Sequence, residues 1–201
     1  YKLTNDDLGK LQNAEGILLG DSGARTARAS YLKLMPSLRI HGDANLTPAW
    51  YVERVQEYRG DGPIILQLGN DLKLEYNDVK SIVDAAKGKP IYLITVVTPN
   101  DFEDQNNDIF YRIADSYENV NIVDWYKEAK IQSDFFDEDG NMNQPATRLM
   151  AHMLGYKLLY DKPKATITDE EDSEETKNKT TTESNLRTEE DDRGSNIKEP
   201  N

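Results

Sequence analysis

Two rhythms of apolar residues alternate along the first 162 positions of the chain. Short, nearly continuous apolar runs occur at "GILLG" (16–20), "SLRIHG" (37–42), "PIILQLG" (63–69), "PIYLITVV" (90–97) and "VNIVDWY" (120–126). Their length and their glycine or proline boundaries predict five strands. Between them, apolar residues recur every three to four positions over 25–35, 48–58, 76–86, 104–117 and 145–160, which predicts five helices. Thr47 is the expected cap of the helix that Pro48 opens, and Asn77 or Asp78 the cap of the helix at 76–86. Continuous apolar strands alternating with amphipathic helices imply a parallel sheet buried on both faces. Right-handed crossovers then give a three-layer α/β/α sandwich with a flavodoxin-like, parallel five-stranded sheet. Ligands of such a fold bind beyond the carboxyl ends of the strands, where Ser22, His41, Gly69 to Asp71 and Thr98 fall.

Composition divides the chain. Residues 1–13 read as an amino-terminal linker, 14–162 as the domain, and 163–201 as an acidic tail. That tail has 12 Asp or Glu, 6 Lys or Arg and only three Leu or Ile, too little apolar surface to offset the entropy of ordering, so it reads as disordered. The net charge of −13 argues against nucleic-acid binding, which requires a basic surface to displace phosphate counterions. Cysteine is absent, which removes disulfides, thiolate metal sites and a cysteine nucleophile. The two histidines, His41 and His152, have no carboxylates at metal-ligand spacing, so neither a metal nor another cofactor is expected. No apolar run is long enough to cross a bilayer. The opening at Tyr1, without methionine or leader, reads as an excised piece of something larger.

Chemistry concentrates at "GDSG" (20–23), where a serine ends the first strand. With "DGPIILQLGND", "GKPIYLITVVTPNDFEDQNNDIFYRIADSYENVNIVDWY" and "DFFDEDGNMNQPATRLMAHML" in that order, the chain over about 14–162 resembles the SGNH (GDSL-like) hydrolases. Within them it is similar to the extracellular domain of bacterial peptidoglycan O-acetyltransferases of the OatA type. The resemblance implies a domain on the outer face of the bacterial plasma membrane, joined to an amino-terminal, multi-pass membrane acyltransferase that delivers acetyl groups. The domain would pass acetyl through an acyl-serine to a hydroxyl of peptidoglycan or another cell-wall glycan. That reaction needs a serine, a histidine base, an aspartate orienting the histidine and donors for the oxyanion.

Carried over position by position, the resemblance makes Ser22 the nucleophile and Asp139 the triad aspartate, but places Met142 where the histidine belongs. A thioether cannot take a proton, and loss of the histidine from a serine triad costs roughly six powers of ten in turnover, about 8 kcal/mol of barrier. In the third-strand block, "LGND" (68–71) puts Gly69 in place, Asn70 at the variable position and Asp71 where the oxyanion asparagine is expected; a shift of one residue would bring Asn70 into the role. Asn45, in "HGDANLT", is expected to offer its backbone N–H there. Neither His41 nor His152 is the expected replacement base.

Trp125 and Tyr126 are read as packing at a strand end, Trp50 and Tyr51 as core or rim, and Arg25 and Arg28 as a solvated helix face. "NKT" (178–180) has the form of a glycosylation acceptor but carries no weight in a bacterial family. The expectation is a non-catalytic domain with a wall-binding or regulatory role. The alternatives are an active O-acetyltransferase or acetylesterase with a relocated base, and a purely structural ectodomain.

Overall fold

A computed structural model describes residues 1–138 and 140–164. Most of the acidic tail, the "NKT" triplet and Asp139 lie outside the described residues. Five strands, β1 (Gly16–Gly20), β2 (Leu38–Gly42), β3 (Ile64–Gln67), β4 (Ile91–Ile94) and β5 (Val120–Val123), pair in parallel in the order β2-β1-β3-β4-β5. The expected sandwich is therefore present, with α1 (Asn5–Gln12), α2 (Ser22–Leu34), α3 (Pro48–Glu57), α4 (Tyr76–Ala85), α5 (Glu103–Ser116), α6 (Trp125–Ala129) and α7 (Gln144–Tyr160) around the sheet.

The strands feed two cores with a period of two, as alternating side chains must. Leu18, Ile40, Ile65, Tyr92, Ile94 and Val123 join residues of α2, α6 and α7 on one face. Ile17, Leu19, Ile64, Leu66, Ile91 and Leu93 join α3, α4 and α5 on the other. Such double burial explains why β3 and β4 read as uninterrupted apolar runs.

Several elements differ from the sequence expectation, each for a local reason. The segment 1–13 is not a linker over its length: α1 starts at a Thr4/Asp7 capping box and buries Leu11 completely. The helix expected from residue 25 begins at Ser22, because Asp21 caps it by accepting from the Gly23 N–H. The fifth strand stops at Val123 rather than 126, where the Asp124 side chain accepts from the Lys127 N–H and starts α6. The cap of α4 is Glu75, paired reciprocally with Asp78. Thr47 does cap α3, accepting from Trp50. Trp125 is buried and stacked on Phe135 at 6.0 Å, and Tyr51 is buried beside Trp50.

One close approach fixes the site's geometry. At Gly20, the last residue of β1, an added Cβ would lie 2.2 Å from the Ala24 Cβ and 2.8 Å from the Gln67 carbonyl oxygen. Only a missing side chain lets α2 turn back so tightly over β1 and β3. Gly20→Ala is expected to destabilise the fold by at least about 2 kcal/mol through overpacking, read as a lower urea midpoint with unchanged slope.

Candidate functional site

Because all five strands are parallel, their carboxyl ends gather on one edge of the sheet, and the loops leaving β1, β2, β3 and β4 meet there. The loops leaving β1, β3 and β4, with the segment before α7, enclose a cavity of about 180 Å³ whose lining includes Ser22, Asn70, Asp71, Thr98, Asn100 and Met142. Four of the predicted site residues thus share one cavity. Gly69 and Asn45 lie beside it rather than in its lining, with φ of +98° and +60°, the left-handed region that glycine and asparagine tolerate best. Asp139 lies outside the described residues.

The loop after β3 is held by a buried amide. The Asn106 Nδ2 donates to the carbonyls of Gly69 and Leu72, each at 2.9 Å, and its Oδ1 accepts from the Leu74 N–H at 2.9 Å. Asn70 is then directed inward. Its N–H and its Nδ2 both donate to the Asp21 carboxylate, at 2.7 and 2.9 Å, and its carbonyl accepts from Thr98 Oγ1 and Asn100 Nδ2. One of the two N–H groups of the Asn70 amide is thus committed to Asp21.

Asp71 holds the decisive position. Its carboxylate accepts from the Ser22 N–H at 3.1 Å, from the Asn45 N–H at 3.4 Å and from the Ser22 hydroxyl. Backbone N–H groups at a helix-opening serine and at the second-strand loop are the kind of donor that stabilises a tetrahedral oxyanion. Here a side-chain carboxylate takes both, at the first turn of α2 where the helix dipole favours negative charge.

No imidazole reaches this cavity. Met142 lines it, held by a bridge to Phe136 and packed on the α2/α7 core. His152 lies in a separate groove with Ser30, Lys33 and Arg148, and His41 is exposed on edge strand β2. Arg25 pairs with Asp43, and Arg28 donates to the Ile40 carbonyl, so neither arginine extends toward the cavity. Among the described residues no group of three or more His, Cys, Asp or Glu could hold a metal ion.

The residue that sequence reasoning passed over is Asp21. It is 3% exposed and accepts from Gly23, from the Asn70 N–H and from Asn70 Nδ2. Burial pushes its carboxyl up from 3.8 to about 6; the Asp71 charge adds to the rise, while the hydrogen bonds from Asn70 and Gly23 oppose it. The available signal was its place between a strand-ending glycine and a helix-opening serine, where an aspartate is a preferred cap. Tyr51, on α3, is buried with no partner for its hydroxyl, and burial together with the charges of Asp21 and Asp71 raises its pKa.

Two outcomes follow from these contacts. Asn106→Ala leaves three buried or half-buried backbone groups unpaired, and is expected to cost about 2–4 kcal/mol in urea denaturation. Asp21 titrates higher folded than unfolded, so the folded state binds the extra proton between pH 4 and 6 and this group's stabilisation is lost as pH rises through 6. Wild type should therefore lose about 2 kcal/mol more than Asp21→Asn between pH 4 and pH 7, measured by chemical denaturation across that range.

No protein-family model matches the chain. It is 26% identical over 135 residues to the O-acetyltransferase OatA of Staphylococcus aureus, a match covering 65% of this chain and 22% of that protein. It is 22% identical over 130 residues to the putative peptidoglycan O-acetyltransferase YrhL of Bacillus subtilis, covering 63% of the chain and 20% of the relative. The chain thus spans about a fifth of the length of these curated relatives. Among solved structures, the C-terminal catalytic domain of the Streptococcus pneumoniae peptidoglycan O-acetyltransferase A superposes with a TM-score of 0.63 at 18% identity, over 75% of this chain and 96% of that domain. A Clostridium thermocellum family 3 carbohydrate esterase superposes with a TM-score of 0.52 at 15% identity, over 72% and 94% of the two chains. In sequence the chain resembles OatA-type O-acetyltransferases, and it has the SGNH-like α/β fold of their carboxy-terminal domain.

Proposed function

We propose that this chain is the wall-facing domain of an OatA-type peptidoglycan O-acetyltransferase protein whose serine site has been converted from catalysis to binding or regulation. In this reading the domain sits outside the plasma membrane beside a membrane acyltransferase half, and its cleft meets cell-wall glycan. The supporting observation is Asp71: its carboxylate accepts from the Ser22 and Asn45 N–H groups and from the Ser22 hydroxyl.

The chemistry behind the reading is direct. Acyl transfer through Ser22 would require a base to remove the hydroxyl proton and two or more free donors for the developing oxyanion. Met142 offers no base on the cavity wall. Asp71 places negative charge where the oxyanion would form, so an acetyl carbonyl meets repulsion in place of donors; loss of a single donor alone costs about 3 kcal/mol.

The Ser22–Asp71 hydrogen bond supports one other reading, in which Asp71 itself is the relocated base of an active transferase or esterase. Hydrolysis of p-nitrophenyl acetate separates the two. A silent site predicts that wild type and Ser22→Ala share the same background rate. It also predicts that Asp71→Asn with Met142→His gains at least about tenfold, lost again when Ser22→Ala is added. Ser22-dependent turnover by wild type, abolished by Asp71→Asn alone, would overturn the silent-site reading in favour of an Asp71 base.

A further inference from the structure

A cluster of positive charge lies at the other end of the sheet from the Ser22 cavity. Two grooves, of about 510 and 360 Å³, flank the Tyr58–Arg59 turn that ends α3. Together they are lined by Arg39, Arg54, Arg59, Lys87 and Lys89, with His41 at one margin and Glu57 as their single carboxylate. Glu57 is spent on Arg54, at 2.8 Å. Asp61 is close by in the chain but lines neither groove.

The remaining four cations form no ion pair with any described residue, in a chain of net charge −13. Three of them are held without being neutralised, Arg59 by donating to the Gln56 carbonyl. The Arg39 guanidinium lies 5.1 Å and the Lys89 ammonium 5.5 Å from the centre of the Tyr58 ring. Lys89 also donates to the Gly60 carbonyl at 2.9 Å, and Tyr58 donates to the Gly62 carbonyl at 3.1 Å. Ring stacking holds a cation in place and leaves its charge available. Gathering like charges in this way is unfavourable unless an anion completes it.

We infer that the paired grooves around Tyr58 and Arg59 bind a linear phosphate-bearing polymer, with Arg39, Arg59, Lys87 and Lys89 contacting successive phosphates. Two grooves joined at one turn suit a chain with repeated charges rather than a single ion. A phosphate presents several acceptor oxygens to the forked donors of arginine and to the lysine ammonium groups. A membrane surface fits less well, since the exposed large apolar residues, Tyr1, Leu72, Ile131 and Tyr160, line neither groove. This surface is separate from the Ser22 cleft, and the inference holds whether or not that cleft is active.

The test is binding of the full chain to medium-chain inorganic polyphosphate, followed by titration calorimetry at increasing sodium chloride. Wild type should bind with an affinity that falls steeply with salt. Arg39→Gln/Arg59→Gln/Lys87→Gln, all three exposed, should keep the circular dichroism spectrum and unfolding midpoint while weakening binding at least about tenfold. Absence of binding by wild type, or equal binding by the triple variant, would overturn the inference. So would equal binding of polygalacturonate, which would assign carboxylates instead, or binding to phosphatidylglycerol vesicles with none to polyphosphate.

Discussion

The buried carboxylate of Asp21 is the tie on which the candidate site depends. It leaves β1, caps α2 through Gly23 and accepts two hydrogen bonds from Asn70 beyond β3. Two otherwise separate pieces of chain, the β1–α2 junction and the loop after β3, are thereby brought to one point. Burying a carboxylate among them is costly, which the rise of its pKa to about 6 records. Backbone and side-chain donors offset that cost, and in return Ser22 and Asp71, adjacent to the two ends of the tie, are pressed together. The juxtaposition of Ser22 and Asp71 is thus a consequence of the scaffold as much as of their own attraction.

The contacts of Asn70, Asp71 and Met142 belong to one arrangement around this tie. Asn70 serves Asp21 through its backbone N–H and one N–H of its amide, and the next residue, Asp71, turns its carboxylate onto the N–H groups of Ser22 and Asn45. A carboxylate is itself an anion of the shape and charge such donors favour, so the pocket is satisfied without substrate. Met142 completes the wall with an apolar side chain packed on the core. The sheet and its two cores are built from other residues, so the fold is shared with acetyltransferase and esterase structures at 18% and 15% identity.

Much of the architecture was legible in the sequence because burial on both sheet faces writes uninterrupted apolar strands, as at Ile64 to Leu66 and Ile91 to Ile94. Helix starts were less legible where a side chain competes for the backbone: Asp21 and Asp124 each convert an expected turn or strand end into a helix. Helix α1 was missed because its one deeply buried apolar residue, Leu11, makes a weak periodic signal in a polar segment. In the site, the serine and the methionine at the cavity were readable from motif order. The roles of Asn70 and Asp71 were not, because a one-residue register decides which side chain faces Asp21 and which faces Ser22, and only the loop held by Asn106 sets that register. The unpaired cations around Tyr58 come from three separate segments, and no local pattern joins them.

The central claim is that the Asp71 carboxylate occupies the donors an acyl-transfer oxyanion would need. Its most direct test is the backbone amide proton shifts of Ser22 and Asn45 in labelled protein, compared between wild type and Asp71→Ala. The account predicts that both amides lie downfield in wild type, as charge-assisted hydrogen bonds require, and that both move upfield together in the variant. Amide shifts at Ser22 and Asn45 that do not respond to loss of the Asp71 side chain would contradict it.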